Sequence, residues 1–250
     1  MRTFRCWSLL ILAVLVCANT RAQLPGGGQA GLNAALLKLL GEVPAFKSKA
    51  DVRVEEKGQN SPMTMTVDFL FLEGKARLDL DMNTIKSKQL PPETLAGFKA
   101  AGMDKVSTIV RPDRKSALLV YPATQGYVEM PMSKEEAADL DRKYKVEKTL
   151  LGRESVDGHP CEKSKVIVSA DTGQRHEAIV WYATDLKNFP LKVQMDQQQM
   201  VVVMHYRDVK LERPDAKQFE PPAGLTKFGS IEQLMQSAMM KMMGGNKPAK

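Results

Sequence analysis

From Phe46 the chain alternates, with Phe46, Ser48, Ala50, Val52 and Val54 on one phase and Lys47, Lys49, Asp51, Arg53 and Glu55 on the other. Successive side chains of a strand point to opposite faces, so this stretch predicts a strand with one buried and one wet side. Met63, Met65, Val67, Phe69 and Phe71 repeat the pattern, Glu73-Gly74-Lys75 turns the chain, and Ala76, Leu78, Leu80 and Met82 alternate with Arg77, Asp79 and Asp81. Short turns between alternating runs make the neighbours antiparallel. Residues 106–111 and 116–121 flank Pro112-Asp113-Arg114-Lys115, and 127–130 follow Gly126, which predicts a second meander. Strands are expected again at 145–151, 161–170, 175–183, 191–196 and 200–211, about ten in all. Val201-Val202-Val203-Met204 is apolar on both phases, which predicts a strand covered on both faces.

The period changes to three and four in a few places. Leu32, Ala35, Leu36, Leu39 and Leu40 form one apolar helix face that Gly41 and Pro44 end. Pro91-Pro92-Glu93 reads as a helix start, with Leu95 and Phe98 on one side. Ser133 and Glu136 have the spacing of a capping box, in which a hydroxyl and a carboxylate each satisfy a free backbone N–H. Ile231, Leu234, Met235, Ala238, Met239 and Met242 predict a terminal amphipathic helix whose methionine-heavy stripe is buried.

The first 22 residues are of a different kind. Arg2 and Arg5 precede an uncharged, mostly apolar stretch, and Thr20-Arg21-Ala22 places small residues before Gln23, so residues 1–22 read as a signal peptide cleaved between Ala22 and Gln23. Val16 stands before Cys17 where a bacterial lipidation signal wants Gly, Ala or Ser, and anchoring through Cys17 is not expected. Export to the periplasm or beyond follows. No later run reaches the roughly 20 apolar residues of a membrane-spanning helix. Residues 23–31 read as a flexible leader, 32–228 as one β-rich domain, 229–243 as the terminal helix and 244–250 as a disordered tail.

Cleavage removes three arginines and no acid, so the net charge falls from +7 to +4, spread along the chain. With aromatics at 6%, that is not the clustered basic and aromatic surface of a nucleic-acid binder. Cleavage also removes Cys6 and Cys17, leaving Cys161 without an intramolecular disulfide partner. His159, Cys161, His176 and His205 lack the paired spacing of a zinc site. Asp171-Thr172-Gly173 matches the core of an aspartic protease but occurs once, where that chemistry needs two carboxylates; it reads as a hairpin turn. With no nucleophile elbow, phosphate loop or metalloprotease helix, the chain reads as non-enzymatic, with no cofactor or metal site expected. The methionines of the terminal helix leave Cu(I) binding as a lesser alternative, because thioethers are soft ligands.

Four stretches, RPDRK, GRESVDGHPCEKSKV, WYATDLKNFPLKV and FEPPAGLTKF, together resemble an uncharacterised family of exported bacterial proteins. That family is similar to the broad group of LolA/LolB-like lipoprotein carriers. The resemblance spans roughly residues 46–228. It implies a mainly β, α+β fold: a strongly curved antiparallel sheet or incomplete barrel with helices packed on its concave face. It also implies a lipid or other apolar ligand in the hollow, which the inward phases would line with Val52, Val54, Met65, Val67, Phe69, Leu78, Leu80, Val202 and Met204. The carriers use aromatic-rich inner faces and a buried arginine; here the inner phases lean on Val, Leu and Met, and Arg53 falls on the polar phase. The competing expectation is a structural envelope protein whose interior is filled and whose partner is another protein.

The cleavage expectation is checked by intact mass. A mature chain beginning at Gln23 should be found, whereas a chain beginning at Cys17 and carrying acyl groups would show lipidation instead.

Overall fold

The computed structural model describes residues 39–40, 43–58, 61–197 and 199–244, with side chains to 241. The expected signal peptide, the leader, most of the helix over Leu32 to Leu40 and the tail from 245 lie outside the described residues. Leu39 and Leu40 are helical and buried in the main core.

One sheet of twelve strands organises these residues. The first meander is β1 (Ala45–Glu56), β2 (Met63–Leu72), β3 (Lys75–Asp81), β4 (Lys105–Arg111), β5 (Ser116–Tyr121) and β6 (Gly126–Pro131). The second is β7 (Tyr144–Val156), β8 (His159–Ala170), β9 (Arg175–Ala183), β10 (Phe189–Asp196) and β11 (Met200–Lys210), and β12 (Thr226–Phe228) closes the list. Across the sheet the order is β12-β6-β5-β4-β3-β2-β1-β11-β10-β9-β8-β7. All pairs are antiparallel except β12 with β6. The sheet is curved but does not close into a barrel, so β12 and β7 remain as edges. About ten strands were expected; β12 has three residues, too few to carry a periodic signal.

Besides the helical Leu39 and Leu40, the α-helices among the described residues are α1 (Pro92–Ala100), α2 (Lys134–Asp141) and α3 (Ile231–Gly244). In α2 the capping box is formed, with Ser133 accepting from the Glu136 N–H and Glu136 accepting from the Ser133 N–H. On α3 the expected stripe is displaced. Leu234 and Ala238 are buried while Met235 and Met239 are 39% and 52% exposed, because the helix turns the Leu234 phase onto β6 and β12. The close approach there also explains Gly126: a Cβ at that position would lie 2.6 Å from the Phe228 ring.

A smaller core lies on the other side of the sheet, where Leu72, Ile109, Leu118 and Val120 pack with Phe219. Phe219 belongs to the segment 212–225, which leaves β11 and crosses back to β12. Arg77 and Arg111 hold it by donating to the Gln218 and Phe219 carbonyls, each at 2.9 Å. Arg111 is 3% exposed and also meets Glu220 at 2.7 Å and both Asp113 carboxylate oxygens. These carboxylates raise the guanidinium's pKa further, and Arg111 in turn holds the Asp113 carboxyl below the usual range. The crossing segment decides which strand is buried on both faces. Every residue of β5 is buried, whereas in β11 Val201 and Val203 are only half-buried, contrary to expectation.

β1 joins the two meanders by pairing with β2 on one side and β11 on the other. Outside this junction Arg207 donates to Asp51 at 2.8 Å and Thr66 donates to the same carboxylate at 2.8 Å. The Arg207 hydrogen bond is the main reason the Asp51 carboxyl titrates below its ordinary value.

Two outcomes follow. Phe69→Asp places an unpaired charge at a site 4% exposed and should cost about 3–5 kcal/mol, enough to unfold a marginal domain, while Asp68→Asn on the exposed phase should be nearly neutral. Comparison of the two melting temperatures checks the strand phase. Because the folded pKa of Asp51 is lowered, its contribution is complete above the unfolded value near ~3.9 and is lost as pH falls through the lower folded value. Asp51→Asn should therefore cost less than about 1 kcal/mol at neutral pH, the pair being half-exposed, and should flatten the acid limb of a stability-versus-pH curve.

Candidate functional site

All nine residues expected to line the hollow lie in one buried cluster on one face of the sheet. Pairing register brings them together: Val52 lies opposite Met65 and Met204, Val54 opposite Val202, Val67 opposite Leu80, and Phe69 opposite Leu78. Directly opposed residues share a face, so β3, β2, β1 and β11 present one continuous apolar patch. Its members are at most 9% exposed, so the patch is covered in this structure.

The patch extends further than the sequence indicated. From Val54 a row of opposed residues runs through Val202, Met195, Ala178 and Val166 to Lys148 on β7. A neighbouring row runs from Val52 through Met204, Val193, Val180 and Ser164 to Leu150. Up to β8 every member is buried. At β7 the cover ends, and Val146 and Leu150 are 41% and 54% exposed. Residue 151 is the extra one where the β7–β8 register shifts, and Leu151 is also exposed.

The inner face also holds an aromatic group, of which strand periodicity placed Phe46, Phe69 and Phe71 inward but not their partners Phe189 and Tyr206. Phe46 packs against Phe69, Phe71, Phe189 and Tyr206 with ring centroids 4.8–6.1 Å apart. This corrects the expectation that the inner phases rely on aliphatic residues and methionine. Phe189 opens β10 beside Pro190 and Tyr206 lies within β11; only the ladder places them together. Burial pushes the Tyr206 phenol well above its usual range. Beside them, where the β1–β11 register slips between Lys47 and Lys49, the buried Ser48 hydroxyl has no hydrogen-bond partner. An open groove of ≈ 990 Å³ passes here, lined by Ser48, Leu191 and Tyr206 and by charged residues that include Lys47, Lys49 and Asp68. Arg111 is buried as well, but on the outer side of the sheet, beside Phe219.

The other candidates are dispersed. Cys161 is buried and desolvation raises its thiol pKa, the opposite of an activated thiolate. His159 lies 2.7 Å from Asp185 and His205 lies 3.0 Å from Asp157, while His176 is half-buried on β9, where desolvation lowers its pKa. Asp171-Thr172-Gly173 forms the β8–β9 turn. Among the described residues no three His, Cys, Asp or Glu side chains converge as a metal site, and no helix is long and apolar enough to cross a membrane.

Comparison with solved structures finds distant likenesses. A LolA superfamily protein from Nitrosomonas europaea is 12% identical over 75% of this chain and 96% of its own, with a TM-score of 0.35. The lipoprotein LppX from Mycobacterium tuberculosis is 14% identical over 76% of this chain and 98% of its own, with a TM-score of 0.38. The MucA/MucB complex from Pseudomonas aeruginosa contains a chain 14% identical over 77% of this one and 62% of its own, also at 0.38. No curated protein matches. The model of one family, a domain of unknown function, matches residues 59–190, from before β2 into the start of β10, and on that match the chain belongs to the DUF4412 family.

Proposed function

We propose that this chain is an exported, non-enzymatic binding protein of the cell envelope that takes an apolar ligand on the concave face of its open sheet. The observation that carries the reading is the way the apolar face ends. A filled core would leave the edge strand polar on the inner phase, yet here Val146 and Leu150 of β7 stand beyond the cover, where water reaches them. Burial of exposed apolar area contributes about 25 cal/mol per Å², so a ligand lying along the β7 lip and continuing inward has a driving force that the free protein leaves unused. Met65, Met195 and Met204 on the same face add side chains that adapt to variable shapes.

The competing reading is an interaction protein with a permanently filled interior. The low exposure of Val52, Val54, Met65, Val67, Phe69, Leu78, Leu80, Val202 and Met204 favours it. The two differ in whether the cover moves. On the ligand reading the covering residues are displaced as the ligand enters; on the other they never are.

Protein stripped of co-purifying lipid should bind cis-parinaric acid saturably, and native mass spectrometry of envelope-purified protein should show a bound lipid. Val54→Trp or Met65→Trp should reduce binding at least tenfold while costing about 1–3 kcal/mol of stability through overpacking. Absence of saturable binding by a folded wild-type protein would leave the protein-contact reading standing.

A further inference from the structure

We infer that the ligand, on the reading just given, is a single-chain lipid with an uncharged, hydroxyl-bearing head, a long-chain alcohol being the simplest, and that Tyr144 and His176 hold the hydroxyl at one corner of the open edge. The inference rests on two polar atoms that the fold buries without satisfying. The Tyr144 hydroxyl and the His176 Nε2 are both shielded from solvent, and neither has a hydrogen-bond partner. Buried polar groups of native proteins are nearly always paired, because leaving one unmet costs more than its hydrogen bond contributes. The ladder sets the two on one face. Tyr144 stands two residues before Val146 on β7, Val146 lies opposite Val168 on β8, and Val168 lies opposite His176 on β9. The corner therefore adjoins Val146, where the apolar face meets water.

The charges around the corner favour a neutral head. Asp139 of α2 is 4% exposed, and its field reaches both groups. Burial raises the Tyr144 phenol and Asp139 adds to the rise; burial lowers the His176 imidazole and Asp139 opposes the fall. Both groups are therefore uncharged at neutral pH. Asp139 is itself paired with Arg142 at 3.0 Å, and Arg142 also donates to the Thr172 hydroxyl at 3.2 Å in the β8–β9 turn. A carboxylate head would bring a second negative charge beside a buried carboxylate whose arginine is already engaged. A hydroxyl carries no such penalty and serves either tautomer of the imidazole. It accepts from the Tyr144 O–H and donates to a bare Nε2, or accepts from Nε2–H and donates to the phenol oxygen. An ether oxygen can only accept. From His176 the next inward residue of β9 is Ala178, opposite Met195, whose row leads through Val202 to Val54 and gives the tail an apolar path.

The alternative is that one trapped water serves the two atoms and neither takes part in binding. Matched ligands separate the two roles. Hexadecanol should displace cis-parinaric acid from wild-type protein at a concentration about tenfold below that needed by its methyl ether, and hexadecanoic acid should also fall behind the alcohol. Tyr144→Phe and His176→Leu should each cut the preference for alcohol over ether to less than about twofold and leave the ether unchanged, whereas His176→Gln, which keeps a donor and an acceptor, should preserve most of it. Neither Tyr144→Phe nor His176→Leu should lower the melting temperature, because each removes a polar group that the free protein leaves unpaired. Equal displacement by alcohol and ether in wild type, or a preference that survives either Tyr144→Phe or His176→Leu, overturns the assignment of the corner while leaving apolar binding intact. Failure of wild type to bind either cis-parinaric acid or hexadecanol overturns the ligand reading itself.

Discussion

The ladder between β1 and β11 is the joint on which the architecture depends. It pairs residues from Lys47 with Lys210 to Glu56 with Met200, partners separated by well over a hundred positions in the chain. Each meander on its own is held by local hairpins, which form at low entropic cost. The β1–β11 ladder has no such help and forms only because both strands carry an apolar phase that must be removed from water. Val52 against Met204 and Val54 against Val202 supply the buried side, and Asp51 against Arg207 latches the wet side. A slip of one residue would send Val52 and Val54 outward and bury Asp51 and Arg53, so the register is strongly specified.

That joint also produces the candidate site. Once β1 sits between β2 and β11, the inner phases of both meanders become one surface and the aromatic rings of β1, β2, β10 and β11 meet around Phe46. The sheet is left open because the two ends of the strand order, β12 and β7, do not find each other. The ends are treated differently. Beside β12 lies α3, whose Leu234 and Ala238 close the inner face. At β7 all thirteen residues are partly or fully exposed, and the inner face runs out into solvent. The functional proposals follow from this asymmetry between a covered edge and an uncovered one.

The outer side shows how one segment changes what a strand can be. The chain from 212 to 225 has little regular structure, and its backbone carbonyls would be costly to bury without donors. Arg77 and Arg111 provide those donors, and Phe219 fills the space over Ile109 and Leu118. β5 becomes a fully buried strand as a result, in keeping with its run Ala117 to Tyr121, which is apolar on both phases.

Much of this was readable from the chain itself. Alternation fixed the inward phase of β1, β2 and β3, because a strand with one wet face must repeat every two residues, and the Ser133–Glu136 spacing fixed the start of α2. The same alternation gave the seven inner residues of β1, β2 and β3 but not Val202 and Met204, whose run is apolar on both phases. It could not say that all nine lie side by side across four strands, that Phe189 and Tyr206 join them, or that Met235 and Met239 face outward while Leu234 faces in. Those facts depend on register and on which element covers which face, and both are set by contacts between segments far apart in the chain. Lys148 illustrates the limit: in the sequence it is one more polar residue of an edge strand, and only the ladder places it at the end of an apolar row.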